Sequence, residues 1–290
     1  MRTTDVTVLG LGLMGTAVAA AFLNDGHSTT VWNRSAGKAG ALVTKGAVLA
    51  PSAREAVQAG PLVVVVLTDT AAVRELLEPL ADVLAGRMVV NLTSGSSDQA
   101  RETAAWAQAQ GIGYLDGAIM AIPQVVGTAD AFLLYSGPKA AYDEHEKTLR
   151  SLGAGTTHLG ADHGLASLYD VALLGLMWGT LNSFLHGAAL LGTAKVDATT
   201  FAPFANKWLG AVTGFVSAYA QQIDQGAYPA LDAAIDTHVA TIDHLIHESE
   251  ATGVDTSLPR FVKSLTDRAQ AAGQGGLGYA AMIDQFRHDH

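Results

Sequence analysis

Short apolar runs and amphipathic stretches alternate along residues 1–160. The run 62–67 consists of six apolar residues without a polar interruption, as expected for a parallel strand that is covered on both faces. Strand-like and helix-like segments follow one another here, which predicts βαβ units and a doubly wound, mostly parallel sheet. The predicted strands are 5–9, 28–32, 62–67, 88–92, 113–116, 131–136 and 156–159, and the predicted helices between the early strands are 13–23, 36–44, 71–84 and 98–110.

Beyond residue 160 the chain is rich in Ala, Leu and Gly, and its apolar residues recur at the helical period. Pro229 and Pro259 stand where helices are expected to begin. We therefore predict an α/β domain over residues 1–162, a long inter-domain helix over 163–194 and an all-α C-terminal domain over 195–290. The predicted helices span 164–194, 200–225, 231–252, 258–272 and 277–287.

The composition excludes several classes of protein. The chain of 290 residues is 49% hydrophobic and 15% charged, with a mean hydropathy of +0.24, which is too apolar for a disordered protein. Its 17 basic and 27 acidic residues give a net charge of −10, which opposes binding to a nucleic-acid backbone. There is no cysteine, so disulfides, thiolate metal sites and cysteine nucleophiles are excluded. A cysteine-free chain without a signal-peptide pattern at its start leads us to expect a cytoplasmic protein.

Residues 171–194 form an uncharged stretch that is long enough to span a membrane. The stretch contains Asn182, Ser183, His186 and four glycines, and such polar groups are costly in lipid. We therefore expect a buried helix of a protein that does not span a membrane, because a helix that is apolar all round is otherwise covered on all sides. Gly175 and Gly179 would permit the close approach of a neighbouring helix.

A glycine-rich loop follows the first predicted strand and precedes a helix. Gly10, Gly12 and Gly15 have the spacing GxGxxG, in the strand–loop–helix context that makes this motif informative. The three glycines would allow a tight turn, the approach of a pyrophosphate and close packing of helix and strand. The loop, including Leu13 and Met14, predicts a dinucleotide site on a Rossmann domain, with the anion at the helix N-terminus.

The end of the second predicted strand indicates which dinucleotide binds. A site that prefers NAD usually has Asp or Glu here, to bind the ribose 2′-hydroxyl. This chain has Asn33, Arg34 and Ser35, followed by Lys38, and donors and cations of this kind suit a 2′-phosphate. The expected cofactor is therefore NADPH rather than NADH. Further predicted cofactor-binding residues lie at the ends of the next two predicted strands or just beyond them, namely Leu67, Thr68, Asn91 and Thr93.

Three blocks of sequence resemble the β-hydroxyacid dehydrogenase superfamily, which includes 6-phosphogluconate dehydrogenase. The first is the glycine loop with the later Trp-Asn-Arg-Ser. The second runs from Asp116 to Pro123 and on to Gly137, with Met-Ala-Ile-Pro where the superfamily usually has Ser-Gly-Gly. In the third, Gly164-Leu-Ala-Ser-Leu-Tyr-Asp, Asp170 stands at the position of the catalytic lysine and Leu174 at that of the asparagine. These departures resemble the imine reductase branch.

This resemblance implies NADPH-dependent reduction of C=N bonds in a cyclic imine or iminium substrate. It also implies a Rossmann domain, a long inter-domain helix, a helical C-terminal domain and a homodimer with reciprocally swapped C-terminal domains, whose active site lies in the cleft between the chains. Ser94 stands where some members that couple ketones with amines have Asn, so efficient reductive amination is not implied.

Asp170 is the candidate catalytic residue, because it is the sole acidic residue between Leu165 and Lys195. Its carboxylate could attract an iminium ion, or it could act as the acid if burial raises its pKa. Tyr169 lies elsewhere on the helical wheel and is expected to pack, although a role as proton donor stays open. The candidate substrate pocket consists of Ser94, Leu174, Met177, Trp178, Trp208, Phe215 and His238. Phe204, Trp208, Phe215 and Tyr219 lie at helical spacings that favour the core over a ligand site.

Two other functions compete with this hypothesis. A β-hydroxyacid or aldehyde dehydrogenase would need a proton-exchanging group such as the missing lysine, and a non-catalytic NADP-binding protein would need no such group. A metal site is not expected. The polar residues that could suggest one lack the HExxH order and fit a solvated helix face; they are His238, Asp243, His244, His247 and Glu248.

Overall fold

The computed structural model describes residues 3–287. The chain divides into two compact units, of which the first ends at Gly175 and the second begins at Leu176. The division falls inside one continuous helix.

An eight-stranded sheet forms the centre of the first unit, in the order β3-β2-β1-β4-β5-β6-β7-β8. All neighbouring strands are parallel except β6 and β7. The first six strands have the order of a dinucleotide-binding Rossmann fold, so the predicted fold class is confirmed. The strands are β1 (Val6–Leu9), β2 (Thr29–Trp32), β3 (Val48–Leu49), β4 (Leu62–Val65), β5 (Met88–Asn91), β6 (Gly113–Met120), β7 (Phe132–Ser136) and β8 (Thr157–Gly160).

The central strands β1 and β4 are buried along their whole length, which explains why their sequences do not alternate. They lie side by side in parallel register, with Leu9 opposite Val65, and β2 flanks β1 with Trp32 opposite Leu9. The carboxyl ends of these three strands therefore meet at one edge of the sheet. This edge is where β1 leads into the glycine loop, at the point where the strand order reverses.

The helices of the first unit cover both faces of the sheet. The predicted helix 71–84 is interrupted, because Pro79 lies in a 3₁₀ turn between α4 and α5. The predicted helix 36–44 begins with a 3₁₀ turn, and β3, α3 and α7 were not predicted. The helices are α1 (Leu13–Asn24), α2 (Gly40–Thr44), α3 (Ala53–Ala59), α4 (Thr70–Leu77), α5 (Ala81–Leu84), α6 (Ser97–Ala109), α7 (Lys139–Leu149) and the first part of α8 (Leu165–Thr193).

The second unit is helical, as predicted, and has a small core. It contains the rest of α8, then α9 (Ala198–Gln225), α10 (Ile235–Thr252) and α11 (Ser257–Ala271). Two expectations were wrong. Residues 231–234 precede α10 rather than belong to it, and the predicted helix 277–287 is a 3₁₀ segment, Tyr279–Gln285. The core consists of Ile235, Leu265, Ala269, Ala281 and Met282.

Long apolar surfaces are exposed on α8 and α9 within a single chain. All residues of α9 are described, and none of them is buried. Its Phe204 and Trp208 are 70% and 66% exposed, so the sequence-based expectation that they belong to a core is wrong for one chain. Among the described residues, α8 is the one helix that is long and apolar enough to cross a membrane, on length and composition alone. Its polar side chains Thr180, Asn182 and Ser183 hydrogen-bond to carbonyls of their own helix.

Candidate functional site

The glycine loop is shaped by backbone contacts at two of its three glycines. Gly10 has a left-handed φ of +98°, and a Cβ atom there would lie 2.1 Å from the carbonyl oxygen of Val66. A Cβ atom on Gly15 would lie 2.0 Å from the carbonyl oxygen of Gly10. Gly12 differs, because nothing lies within 4 Å of its Cβ position. The first and third glycines therefore allow the loop to fold, and the second leaves it open to a ligand.

A cavity of about 540 Å³ lies over this loop, at the carboxyl ends of the central strands. Because α1 begins at Leu13, the unpaired N–H groups of its first turn are available to an anion there. Of the predicted cofactor-binding residues, the cavity is lined by Gly10, Gly12, Leu13, Met14, Gly15, Asn33, Arg34, Ser35, Lys38, Leu67 and Thr68. Five further residues that were not predicted from the sequence also line the cavity, namely Trp32, Val66, Ala72, Glu75 and Leu76.

Asn33 joins the two strand ends that form the cavity. Its side-chain oxygen accepts a hydrogen bond of 2.9 Å from the backbone N–H of Leu11, and its amide donates to the carbonyl oxygen of Ser35 at 3.1 Å. The acceptor and one of its two N–H donors are thus engaged within the protein. Beside it, Arg34 and Lys38 are exposed cations at the cavity wall. Asn33 therefore shapes the loop, and Arg34 and Lys38 place positive charge at the cavity wall.

Asn91 and Thr93 lie behind the wall of the cavity rather than in it. The backbone N–H of Leu67 donates to the hydroxyl of Thr93 at 2.9 Å, and the N–H of Thr93 donates to the amide oxygen of Asn91 at 3.1 Å. Both Asn91 and Thr93 are buried. Their side chains therefore support the backbone at Leu67, which lines the cavity.

Asp170 lies in the second turn of α8 and is only 4% exposed. Burial raises the pKa of its carboxyl above the ordinary value, and the neighbouring Ser94 side chain acts in the opposite direction. Ser94 lies just beyond β5, so the carboxyl end of this strand and α8 supply one polar group each. Leu174, one turn beyond Asp170, is half-buried. These groups form a carboxyl site with an apolar neighbour and a raised proton affinity.

The remaining candidates for the substrate pocket belong to the second unit. Met177 and Trp178 on α8 are 43% and 57% exposed, and Trp208 and Phe215 on α9 are exposed as well. His238 is half-buried, with its ring centroid 4.6 Å from that of Tyr279. Its Nε2 is buried and has no hydrogen-bond partner among the described residues. The assignment of these residues to a substrate pocket stays a prediction.

A second buried carboxyl, which the sequence did not single out as a site residue, is hydrogen-bonded to the helix that carries Asp170. Asp116 on β6 is 1% exposed, and burial raises its pKa to about 7. Its Oδ2 accepts a hydrogen bond of 2.7 Å from Ser167 on α8, and its Oδ1 accepts one of 3.4 Å from Tyr114. The Tyr114 hydroxyl in turn accepts from the Asn91 amide at 3.1 Å. An acidic residue within the otherwise apolar stretch 114–120 was the available sequence signal.

Two other polar clusters do not form sites. Among residues 3–287, no three His, Asp or Glu side chains lie together as metal ligands, and Asp243 instead pairs with Lys263 at 3.4 Å. Ser151, His27 and Asp25 meet at the surface, but the same ring nitrogen, Nε2, lies near both the serine and the aspartate. A nucleophilic triad requires the carboxylate at the other ring nitrogen.

Comparisons with known proteins identify the families that both parts of the chain match. Residues 5–160 match the family model of the NAD binding domain of 6-phosphogluconate dehydrogenase, and residues 162–288 match that of the NADPH-dependent reductive aminase-like C-terminal domain. The chain is 36% identical to an NADPH-dependent reductive aminase of Aspergillus oryzae, over 97% of both chains.

Solved structures extend the similarity to the whole fold. A reductive aminase from Aspergillus terreus in complex with NADPH and ethyl levulinate superposes with a TM-score of 0.94 at 41% identity, covering 99% of this chain and 100% of that one. An imine reductase from Myxococcus stipitatus in complex with NADP+ gives a TM-score of 0.92 at 35% identity, covering 98% and 100%.

Proposed function

The chain belongs to the family of NADPH-dependent reductive aminases and imine reductases, and on that premise we propose that it reduces imines or iminium ions to amines with NADPH. The observation that supports this proposal most strongly is the buried carboxyl of Asp170, at the position where related dehydrogenases have a catalytic lysine. A cationic lysine would repel an iminium ion, whereas a carboxylate attracts it.

The first unit provides the groups that NADPH requires. The N-terminal turn of α1 and the open face of Gly12 would hold the pyrophosphate, since N–H groups and the helix dipole favour an anion there. Arg34 and Lys38 would bind the 2′-phosphate that distinguishes NADPH from NADH. When it is bound, NADPH supplies the hydride for the electrophilic carbon.

Asp170 would supply the remaining chemistry, which is the proton and charge of the substrate nitrogen. Reduction of a neutral imine consumes one hydride and one proton, and the nitrogen must receive that proton. Burial raises the pKa of Asp170, which supports a carboxyl that can hold a proton near its site of use. The ionised carboxylate would instead anchor a substrate that is already protonated. Leu174 beside it would favour apolar substrates.

We further propose a homodimer in which a second copy covers the exposed apolar faces of α8 and α9. Trp178, Phe204 and Trp208 are each more than half exposed in one chain, and monomeric soluble proteins rarely expose contiguous apolar surface on this scale. A membrane would cover such a face as well, but Asn182 and Ser183 on α8 are costly in lipid. A monomeric mass at micromolar concentration with full activity would contradict the dimer.

The domain organisation completes the proposal. Residues 1–162 would bind NADPH, 163–194 would form the inter-domain helix and 195–290 would provide dimerisation and substrate contacts. Met177, Trp178, Trp208, Phe215 and His238 would provide the substrate contacts of the second unit. The absence of cysteine is compatible with a reducing cytoplasm, which we propose as the location.

The test is NADPH oxidation in the presence of a panel of cyclic imines. Parallel assays supply a ketone with an amine, a ketone alone, and a β-hydroxyacid with NADP+. We expect turnover with imines that is lost in the Asp170→Ala variant. Turnover with the hydroxyacid but not with imines would favour a dehydrogenase. NADPH binding without turnover of any substrate would favour a nucleotide-sensing protein.

A further inference from the structure

Asp116 is the junction of two hydrogen-bond branches in the first unit, because its two carboxyl oxygens accept from different partners. Oδ2 accepts from Ser167 on α8, and Oδ1 accepts from Tyr114 on its own strand. The carboxyl is almost fully buried, and burial raises its pKa to about 7. A buried carboxyl carries a desolvation cost that an apolar residue of the same size does not, which favours a role beyond packing.

The first branch ends at the helix that bears the candidate catalytic residue. Ser167 precedes Asp170 by three residues, so both side chains lie on the same face of α8, about one turn apart. The 2.7 Å bond from Ser167 to Asp116 thus ties this turn of the helix to strand β6 of the sheet. Both residues are buried, which shields the bond from competing water.

The second branch ends at the nucleotide cavity. It passes from Tyr114 to Asn91 at 3.1 Å, from Asn91 to Thr93 at 3.1 Å, and from Thr93 to the backbone of Leu67 at 2.9 Å. Leu67 lines the cavity over the glycine loop. The same branch also holds the segment that continues into Ser94, the residue beside Asp170.

We propose that Asp116 is a positioning residue that fixes the Asp170 turn of α8 relative to the Leu67 wall of the nucleotide cavity. The inference rests on the proposed function, since it concerns how the carboxyl that handles the substrate nitrogen is aligned with the hydride donor. Alignment matters because a displacement of about 1 Å between reacting groups can lower a rate by roughly a hundredfold. Asp116 itself touches neither substrate nor cofactor and acts through Ser167 and Tyr114.

The two branches can be cut separately. Ser167→Ala removes the link to α8, so we expect kcat to fall roughly tenfold or more while the Kd for NADPH stays within about twofold. Tyr114→Phe removes the link to Leu67, so we expect the Kd for NADPH to rise several-fold. Asp116→Asn disturbs both branches, because its amide group cannot accept two hydrogen bonds through two oxygens. We expect it to show both effects.

A matched control separates positioning from general loosening of the helix start. Ser136 is also buried and bonds to the beginning of α8, where it accepts from the N–H of Ala166 and donates to the carbonyl oxygen of His163. Ser136→Ala should lower thermal stability at least as much as Ser167→Ala but leave kcat within about twofold. Ser167→Thr retains the hydroxyl and should recover most of the lost kcat.

A double-mutant cycle gives the decisive comparison. If Ser167 acts through Asp116, the Asp116→Asn/Ser167→Ala double variant has a kcat similar to that of Asp116→Asn alone. The proposal would be overturned if the two losses of kcat multiply in the double variant. It would also be overturned if Ser136→Ala loses as much kcat as Ser167→Ala does. Should Asp116→Asn fail to fold, the Ser167 and Tyr114 variants still decide it.

Failure of the proposed function is distinguishable from failure of this inference. If the wild-type protein turns over no imine, the proposed reaction is wrong, and the Kd of NADPH in Tyr114→Phe and in Asp116→Asn decides the inference. An unchanged Kd in both variants would contradict it. A raised Kd in both, with Ser136→Ala unchanged, would support it.

Discussion

The side-chain oxygen of Asn33 accepts a hydrogen bond of 2.9 Å from the backbone N–H of Leu11, so the residue after β2 holds the glycine loop after β1. In Rossmann folds the residue at the position of Asn33 usually contacts the adenosine ribose. Here that residue also shapes the turn that would face the pyrophosphate. We expect Asn33→Ala to weaken NADPH and NADH to a similar extent, because the loop loses its support. Asn33→Asp keeps an acceptor for Leu11 and adds a negative charge, so it should shift the preference toward NADH. Cofactor titrations of the purified variants measure both effects, and an unchanged preference in Asn33→Asp would contradict the assignment.

Arg34 is expected to be the main determinant of NADPH preference. Its guanidinium is exposed at the cavity wall, where a charge-assisted bond to the 2′-phosphate is available. Arg34→Ala should raise the Kd for NADPH roughly tenfold and leave that for NADH nearly unchanged. Lys45→Ala, which removes an exposed cation outside the cavity lining, is the control and should affect neither cofactor. Equal affinity of the wild-type protein for both cofactors would refute the prediction.

Asp170→Ala should lower imine turnover by about a hundredfold or more, the usual range for a positioned acid–base or electrostatic group. Asp170→Asn should also be impaired, since the amide keeps the shape but lacks the charge and the transferable proton. The Kd for NADPH should change little in both variants, because the glycine loop holds the nucleotide. Steady-state rates with a cyclic imine, together with NADPH titrations, provide the measurement. Near-normal turnover in the Ala variant would remove Asp170 from the mechanism and direct attention to Tyr169 or His238.

Ser94 offers a test of how Asp170 acts. The Ser94 side chain lowers the pKa of Asp170 and burial raises it, so Ser94→Ala should move that pKa further upward. The limb of the kcat–pH profile that belongs to Asp170 should therefore shift to higher pH. A limb that falls with rising pH identifies the carboxylic acid as the active form, and one that rises identifies the carboxylate. Ser97→Ala, which alters a hydroxyl that accepts from Arg101, should leave the profile in place.

Ser94→Asn addresses reductive amination in the same assay. The family resemblance implies Asn at this position in some members that couple ketones with amines, so the variant should gain turnover with a ketone and an amine relative to a preformed imine. The ratio of the two rates in variant and wild type is the quantity to compare, and an unchanged ratio would exclude Ser94 as the determinant.

Asp116 should make stability fall as the pH rises toward neutrality. Its pKa is about 7 in the folded protein, against an ordinary value of 3.8, so the folded state binds more protons between these values. Its contribution to the free energy of unfolding is fully present below the lower value. It is lost by at most about 1.36 kcal/mol per pH unit as the pH rises through the window. Asp116→Asn removes this dependence, so the variant should gain stability relative to wild type between about pH 5 and about pH 8.

Urea unfolding at about pH 5 and at about pH 8 measures how much stability Asp116→Asn gains relative to wild type. Asp5→Asn is the control, because hydrogen bonds from Ser28 lower the pKa of Asp5, and its contribution is lost only at more acidic pH. A difference between Asp116→Asn and wild type that does not change with pH would contradict the prediction.

Much of the fold follows from the sequence, because local patterns dictate it. The unbroken apolar run of β4 is typical of a strand covered on both faces, and the spacing of Gly10, Gly12 and Gly15 predicts a strand, a tight turn and a helix in that order. Many of the residues that line the cavity were also predictable, because the carboxyl ends of parallel neighbouring strands meet at one edge of the sheet. Short elements such as α3 and α7 were not predicted, because a helix of two or three turns has too few residues for its apolar period to be recognised.

The tertiary structure alone decided what depends on contacts between distant residues. Ser167 and Asp116 are 51 positions apart, and nothing in the local sequence of either indicates the bond between them. The structure likewise shows that Asn33, which the sequence predicts as a cofactor-binding residue, also supports the loop, because its side-chain oxygen accepts from a backbone group 22 positions away. The exposure of Trp208 on α9 likewise depends on where distant parts of the chain lie. Helical periodicity shows that a face is apolar, but only the placement of other elements decides whether the chain itself covers that face.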